Sequence, residues 1–282
     1  MTNKKINVSF SGGGAFGLTY LGFLKYLEEI RDKIWINKVT GTSIGAIMAA
    51  AWSCGYNHKE IADIFKSLNL GKLSKILTGN IFQKIYFLLY SRNKVSKQII
   101  KVLKEKLKWN KIKDKSLYIA TTDINKRYIK YFTNKKIEIN LAQAVYDSMN
   151  IPIIFKDYPT YVFTEKHYFI DGGLLDNNCT GMLNYEDYNI LIHPWGEDFL
   201  NSNNFSNYKI IKSLFKKYVT ILETIFLNGL YVGRDKFDEE IFTGNVAKNI
   251  LDFSDETINK AIEEGYTKTK EYFEGKNNNE KI

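Results

Sequence analysis

Two apolar runs of strand length lie near the start of the chain, each followed by small residues and then by a helical repeat. Residues 6–10 form the first run and end close to three consecutive glycines, after which apolar positions recur at helical spacing up to Leu27. Residues 35–40 form the second run, and an alanine-rich helix is predicted from Ile44 to about Ser53. Two strand–turn–helix units in succession predict a parallel sheet with helical crossovers, and therefore the α/β class.

The rest of the chain continues the mixture of strand and helix patterns. Short apolar or alternating runs predict four more strands, at residues 116–123, 128–133, 161–170 and 188–193. Helical periodicity predicts an insertion at about 60–110, a short helix at 141–149 that stops before Pro152, and long helices at about 206–231 and 255–274. The strand predicted at 161–170 runs directly into Asp171-Gly172-Gly173.

Length and composition favour a single domain. The chain has 282 residues, 44% of them hydrophobic, with only three prolines and no linker rich in serine, proline or glycine. We therefore predict one domain over residues 1–275, with the basic helical insertion at about 60–110, and a polar tail at 276–282.

Cysteine use and the apolar stretches limit the class of protein further. Two cysteines, Cys54 and Cys179, give neither a disulfide framework nor a metal-ligand cluster, so we predict no metal and no cofactor. The N-terminus lacks the pattern of a secretory signal, and the longest apolar stretches are interrupted by charged or amide residues, which argues against a transmembrane helix. The expected location is cytoplasmic or at the membrane periphery.

The net charge of +9 indicates attraction to polyanions, either nucleic acid or an anionic membrane. A chain rich in lysine, asparagine and isoleucine throughout explains the same charge without any partner. Residues 72–108 concentrate the charge, because ten basic residues are interspersed there with bulky apolar ones and Glu105 is the one acid. This pattern favours peripheral contact with an anionic membrane, and solvated lysines on core-packed helices are the alternative.

A serine flanked by glycines stands between the second predicted strand and its helix. In Gly41-Thr42-Ser43-Ile44-Gly45, side chains at the two glycine positions would collide with the neighbouring strand and helix. The free amides and the positive dipole end of the following helix favour an alkoxide at Ser43. The segment is therefore typical of a nucleophile elbow, although an ordinary glycine turn would satisfy the same pattern.

Three glycines, Gly12, Gly13 and Gly14, also follow a strand and open a helix, which leaves their amides accessible to an anion. A dinucleotide-binding fingerprint can be placed on Gly12, Gly14 and Gly17, but it requires an acidic residue at the end of the next strand. That strand runs into Thr40-Gly41-Thr42-Ser43 and lacks the acid. The nearby serine favours the second interpretation, an oxyanion hole for acyl transfer.

A hydroxyl nucleophile needs a base, and histidine is the usual one. His58 lies in a polar turn and is expected to be solvated, His167 lies in a strand and is expected to face solvent, and His193 at a strand end is the best placed. Asp171 is the alternative, because a partly desolvated carboxylate there could take the proton of Ser43 directly. An Asp-Gly pair is also the commonest turn, and taken alone Asp171 fits that role.

Four segments, in this order, resemble the patatin-like phospholipase family: SGGGAFGLTYLGFLKYL, GTSIGAIMAA, DSMNIPIIF and YFIDGGLLDNN. They are similar to the family's oxyanion segment, its nucleophile elbow, the segment before its final strand and its catalytic Asp-Gly-Gly. The stretch ATTDI at 120–124 resembles a recurring strand end of the same family. The similarity covers roughly residues 6–193, and the ordered combination is far more specific than any single piece.

The resemblance implies a three-layer α/β/α sandwich on a mainly parallel sheet, and a Ser–Asp dyad that needs no histidine. Carried over by position, Ser43 is the nucleophile, Asp171 is its base, and the glycines at 12, 13 and 14 form the oxyanion hole. The expected function is a lipid acyl hydrolase that releases fatty acids from phospholipid or other acyl-ester substrates. The family usually has arginine or lysine where this chain has Phe16. We expect Phe16 to pack either within the fold or in an acyl channel.

Two other functions compete with hydrolysis. Phe16 and the basic insertion are also compatible with a catalytically weak or inactive scaffold that binds a membrane or a partner. Nucleic-acid binding is suggested by charge alone, and we rank it last because no motif that reads RNA or DNA accompanies the charge.

Overall fold

The computed structural model describes residues 5–30, 35–71, 83, 86–113, 115–152, 154–196, 232–244, 246–247 and 252–279. The long helix predicted at 206–231 and part of the helical insertion predicted at 60–110 lie outside these ranges.

The regular elements follow the predicted order of strands and helices. The strands in the described ranges are β1 (Ile6–Phe10), β2 (Ile36–Thr42), β3 (Ser116–Asp123), β4 (Tyr128–Thr133), β5 (Pro159–Val162), β6 (Glu165–Asp171), β7 (Tyr188–His193) and β8 (Glu239–Phe242). The α-helices in the same ranges are α1 (Tyr20–Ile30), α2 (Ile44–Ser53), α3 (His58–Leu68), α4 (Arg92–Lys106), α5 (Leu141–Ser148) and α6 (Asp255–Asn279). A 3-10 turn, Gly14–Thr19, leads into α1, and a π-helical turn, Phe87–Ser91, leads into α4.

The strands form one sheet in the order β5-β6-β3-β2-β1-β7-β8, and β4 also pairs with β3. The five strands from β3 to β8 in that order run parallel to one another, whereas β4 and β6 are antiparallel to β3. Helices connect β1 to β2 and β2 to β3, as parallel neighbours require. This topology confirms the predicted α/β class with a mainly parallel central sheet flanked by helices.

The single strand predicted at residues 161–170 is wrong, because the segment is a hairpin. β5 ends at Val162, Phe163 and Thr164 form the turn, and β6 returns antiparallel. Phe163 adopts a φ of 54°, a left-handed conformation that bulky residues rarely take. The two turn residues, Phe163 and Thr164, are not the glycine, asparagine or proline from which a hairpin is normally predicted. The short edge strand β8 was also absent from the sequence prediction.

Alternation along β1 separates an apolar face of the sheet from a polar one. Val8 and Phe10 are fully buried in the hydrophobic core. Ser9 points the other way, where its hydroxyl donates to the carbonyl oxygen of Asn178 and accepts from Thr40 Oγ1. Thr42 Oγ1 likewise donates to the carbonyl oxygen of Asp176 at 3.0 Å. These bonds hold the segment that follows β6 against the carboxyl ends of β1 and β2.

Helix α6 packs along α1 at a crossing where the two backbones come into contact. A Cβ atom on Gly22 would lie 2.2 Å from the amide nitrogen of Tyr266, and one on Gly265 would lie 2.0 Å from the carbonyl oxygen of Thr19. Both contacts are with main-chain atoms, which side-chain rotation cannot move away. Because Thr19 and α1 directly follow the glycine segment, this crossing fixes the helix that the segment opens.

Candidate active site

Ser43 lies between β2 and α2 in a strained conformation. Its φ of 55° and ψ of −122° lie outside the regions that L-residues normally occupy. The flanking glycines explain how the corner closes. A Cβ on Gly41 would lie 2.3 Å from the carbonyl oxygen of Gly45, and one on Gly45 would lie 2.1 Å from the carbonyl oxygen of Phe10. Helix α2 begins at the next residue, so its first amides and dipole face the serine.

We expect Gly45→Ala to destabilise the protein, because the added methyl group would meet the backbone of β1 at 2.1 Å. The expected decrease in the free energy of unfolding is about 1–3 kcal/mol, as for other overpacked sites. Gly196→Ala is the matched control, since a Cβ there has no neighbour within 4 Å among the described residues. Urea denaturation of both variants makes the comparison, and equal stabilities would contradict the steric explanation of the corner.

Ser43 and Asp171 meet because two strands end against the same edge of β3. β2 pairs along β3 until Thr42 lies opposite Ala120. β6 approaches from the opposite direction until Asp171 lies opposite Thr121. Since Ala120 and Thr121 are consecutive, the residue after Thr42 and the last residue of β6 are neighbours, although 128 positions separate them in the chain.

The two side chains form a short hydrogen bond in a nearly closed environment. Ser43 Oγ donates to Asp171 Oδ2 at 2.6 Å, and the amide of Gly173 donates to Asp171 Oδ1 at 2.8 Å. Each of the two residues exposes only 6% of its surface. Burial raises the pKa of Asp171 to about 6, while the hydrogen bonds from Ser43 and Gly173 act in the opposite direction. The carboxylate is thus a stronger base than a solvated aspartate, yet it is still ionised at neutral pH.

The glycine segment lies against the serine and presents two amides. The amide of Gly12 donates to the carbonyl oxygen of Asn177 at 3.1 Å, and a Cβ on Gly12 would lie 3.2 Å from the Cβ of Ser43. Gly13 packs against Pro194. Among the described residues, no hydrogen bond engages the amides of Gly13 and Gly14, at the start of the 3-10 turn. These two N–H groups can donate to an anion, whereas the amide of Gly12 already donates to Asn177.

Two residues next to the pair were not identified from the sequence. Ser148, at the end of α5, accepts a hydrogen bond from the amide of Ser43 at 2.9 Å. The carbonyl oxygen of Asn150 accepts one from the amide of Asp171 at 3.0 Å. Both residues lie in the segment DSMNIPIIF, which resembles the family. That resemblance pointed to the segment but not to the atoms that form these hydrogen bonds.

A second buried carboxyl group belongs to the same helix as Ser148. Asp147 accepts hydrogen bonds from Gln143 Nε2 at 2.8 Å and from Thr160 Oγ1 at 2.9 Å. Burial raises its pKa to about 8, and the two donors lower it less than burial raises it. Asp147 therefore carries a proton at neutral pH, unlike Asp171.

Phe16, which replaces the cation usual in the family, is 2% exposed and belongs to the hydrophobic core. The structure thus favours packing within the fold over the alternative of an acyl channel. The departure removes a positive charge from the neighbourhood of the glycine segment and leaves its backbone donors in place.

All three histidines are paired with carboxylates other than Asp171. His58 Nδ1 lies 2.6 Å from Glu28 Oε2, and His167 Nδ1 lies 2.6 Å from Asp123 Oδ2. The predictions that these two rings are solvated are wrong, because both residues are buried, His58 at the start of α3 and His167 within the β5–β6 hairpin. His193 Nε2 lies 2.8 Å from Glu240 Oε2 on β8.

No described helix has both the length and the apolar composition that a membrane span requires. Across the described ranges, no three histidine, cysteine, aspartate or glutamate residues are grouped so that they could hold a metal ion.

The sheet topology and the strained serine at a strand-to-helix corner place the chain among α/β proteins with a mainly parallel sheet. More particularly, it belongs to the patatin-like phospholipase family, whose profile it matches over residues 8–183. That range is more than half of the chain and contains the glycine segment, Ser43 and Asp171.

Individual relatives are distant and longer than the matched segment. Over 188 residues the chain is 27% identical to an uncharacterized protein of Acanthamoeba polyphaga mimivirus, and the match covers 61% of each protein. Over 204 residues it is 28% identical to the cGAMP-activated phospholipase of Vibrio cholerae, covering 63% of this chain and 56% of that protein. The chain thus matches less than two thirds of the length of these curated relatives.

A solved structure shares the fold. The crystal structure of VipD from Legionella pneumophila aligns with 96% of this chain and 67% of its own, at a TM-score of 0.52 and 20% sequence identity. At this level of identity the likeness shows the fold alone.

Proposed function

We propose that the protein is a lipid acyl hydrolase in which Ser43 and Asp171 form the catalytic pair. The observation that carries the proposal is the 2.6 Å hydrogen bond between a serine on a strained elbow and a buried carboxylate. A hydroxyl aimed at a carboxylate of raised pKa is arranged to lose its proton. Family membership, and a relative that is named a phospholipase, support lipid esters as the substrate class.

The first half of the reaction acylates Ser43. Its Oγ attacks the carbonyl carbon of the ester while Asp171 Oδ2 takes the hydroxyl proton over the existing hydrogen bond. Gly173 holds the other carboxylate oxygen, so the basic oxygen stays directed at the serine. When the tetrahedral intermediate collapses, the C–O bond to the alcohol breaks and Asp171 returns the proton to the leaving oxygen.

The amides of Gly13 and Gly14 are the proposed oxyanion donors. Their freedom from hydrogen bonds with described residues supports this role, as does their place beside Gly12, which nearly touches Ser43. Backbone donors of this kind typically contribute about 10²–10³ each to the rate. Gly12, bonded to Asn177, positions the segment.

The second half of the reaction releases a fatty acid. Asp171 takes a proton from a water molecule, the resulting hydroxide attacks the acyl-serine, and the proton returns to Ser43 Oγ. The ester class we propose is a phospholipid or lysophospholipid, as for an enzyme of the phospholipase A or lysophospholipase type. A catalytically inactive scaffold, suggested by Phe16 in place of a cation, is the competing proposal.

Fatty-acid release from mixed phospholipid vesicles, measured across pH, tests the proposal. Because burial raises the pKa of Asp171 to about 6, the basic form is lost as the pH falls through that value. We expect the rate at limiting substrate to fall about tenfold for each pH unit below about 6, and to level off above it.

Stoichiometric labelling of Ser43 by a fluorophosphonate would separate a slow enzyme from an inactive scaffold. Labelling and fatty-acid release together support the proposal. Absence of both, in protein that remains folded, would establish the scaffold alternative.

A further inference from the structure

One side of helix α4 carries a continuous line of lysines. We define the basic stripe as Lys94, Lys97, Lys101, Lys104 and Lys108, which recur every three or four residues and are all exposed. The opposite side of the helix is buried in the core through Ile99, Val102 and Leu103. The stripe therefore faces outward along the helix and just beyond its C-terminal end.

The stripe has no acidic partners within the described part of the chain. None of its five lysines forms an ion pair with a described residue, in contrast to Lys25, Lys38 and Lys130, which pair with carboxylates elsewhere. Glu105 is the one acid in α4. Five cations about one helical turn apart repel one another, so the arrangement leaves an unsatisfied positive field.

A groove runs beside the stripe, between α4 and α5. Its volume is about 590 Å³, and it is lined by four lysines of the stripe and by Glu105, Ile100, Gln143 and Tyr158. Four lysines against one glutamate give the lining a net positive charge. Helix α5, which forms one wall, ends at Ser148, the residue bonded to the amide of Ser43.

Exposed apolar side chains stand at the beginning of the same helical segment. Tyr86, Leu89 and Tyr90 are 62%, 68% and 70% exposed, and the two tyrosine rings lie 5.3 Å apart. Continued at helical spacing, Tyr86 and Tyr90 lead into Lys94 of the stripe. Tyrosines with an apolar ring and a polar tip favour the boundary between lipid and water.

We propose that the basic stripe and the two tyrosines dock the protein on the surface of an anionic phospholipid bilayer. Lysines of the stripe would meet lipid phosphates, and the groove would admit head groups between α4 and α5. Tyr86 and Tyr90 would enter the interface at one end of the stripe. This inference rests on the proposed function, in which a lipid ester reaches Ser43 from a bilayer. The positive charge of the stripe favours an anionic bilayer as the bound surface.

Vesicle co-sedimentation of the full chain tests the docking surface. All proteins carry Ser43→Ala, so that the lipid is not consumed during the measurement. The test variant adds Lys97→Gln, Lys101→Gln and Lys104→Gln. Its matched control adds Lys59→Gln, Lys113→Gln and Lys135→Gln, three exposed lysines outside the stripe that also lack ion pairs with described residues. Vesicles contain phosphatidylcholine alone or mixed with phosphatidylglycerol.

We expect the test variant to bind the mixed vesicles about 100-fold more weakly than the parent, from about 1 kcal/mol for each cation at an anionic surface. The control should bind like the parent, and neither should gain affinity for phosphatidylcholine alone. Tyr86→Ser with Tyr90→Ser should weaken binding to the mixed vesicles without changing the net charge. Equal binding by the two lysine variants would overturn the proposal.

Two further measurements separate this proposal from others. Retention of the parent by RNA but not by vesicles, lost in the test variant, would replace the membrane with nucleic acid as the partner. Hydrolysis of a soluble short-chain ester, measured with Ser43 intact, should be unchanged by the three lysine substitutions. Stripe-dependent vesicle binding by a protein that hydrolyses no ester would support docking and reject the catalytic function.

Discussion

Ser43→Ala is expected to lower ester hydrolysis by about 10⁴-fold or more, leaving only the contribution of the oxyanion donors and of substrate binding. The substitution removes the hydroxyl that donates to Asp171 Oδ2 at 2.6 Å and keeps the Cβ of the elbow. Fatty-acid release and fluorophosphonate labelling both measure the effect. No other described side chain supplies a nucleophile to Asp171, so the two readouts should be lost together.

Ser67→Ala is the matched control for this change. Ser67 lies on α3, where its hydroxyl is exposed and donates to the carbonyl oxygen of Asp63 at 2.7 Å. We expect its activity to equal that of the unmodified chain. If Ser43→Ala retained hydrolysis at the level of Ser67→Ala, Ser43 would not be the nucleophile.

Asp171→Asn is expected to lower activity by about 10²–10⁴-fold while making the folded protein more stable at neutral pH. The amide can accept from Gly173 and can donate to Ser43 Oγ, so the hydrogen bonds persist without a base. A variant that is more stable but less active would indicate that Asp171 is a catalytic carboxylate and not only a turn residue.

The stability change has a sign that depends on pH. Because the pKa of Asp171 is about 6 in the folded protein, against an ordinary value of 3.8, the folded state holds the proton more tightly. The unmodified chain therefore loses stability as the pH rises from about 4 to about 6, by at most about 3 kcal/mol, and this loss persists at pH 7. The asparagine side chain in Asp171→Asn does not titrate, so the variant's advantage should be largest above pH 6 and should vanish near pH 4.

Urea denaturation at several pH values measures that advantage as a difference between two chains, in which the other titrating groups cancel. Asp147→Asn is the matched control, because burial also raises the pKa of Asp147. Asp147→Asn should also gain stability at neutral pH, because folded Asp147 keeps its proton where the unfolded chain has lost it, but it should keep its activity. Equal loss of activity in the two variants would mean that Asp171 acts through packing and not as a base.

The main sheet, the elbow and the chemistry of its flanking glycines could be predicted from the sequence, because each depends on local pattern. β1, β2 and α2 occur where a strand period changes to a helical one. The sequence predicts crowding at Gly41 and Gly45, and the contacts of 2.3 Å and 2.1 Å have that cause. These features need no knowledge of which distant segments meet.

The meeting of Ser43 with Asp171 could not be derived from periodicity. It depends on the register by which β2 and β6 end at consecutive residues of β3, and nothing local to either strand encodes that register. The resemblance to the family supplied the pairing instead. The contact of Ser148 with Ser43 could not be predicted for the same reason, because 105 positions separate the two residues in the chain. The burial of His58 and His167 was missed because their carboxylate partners, Glu28 and Asp123, lie on other elements.

The glycine-to-glycine crossing of α1 and α6 bears on how this chain can be divided or recombined. The stretch shared with the family ends at residue 183, whereas Gly265 and its helix lie far beyond it. A shortened or chimeric chain cut at that boundary would strip a helix from the one that carries the glycine segment. A chimera made with a relative should therefore transfer α6 together with α1.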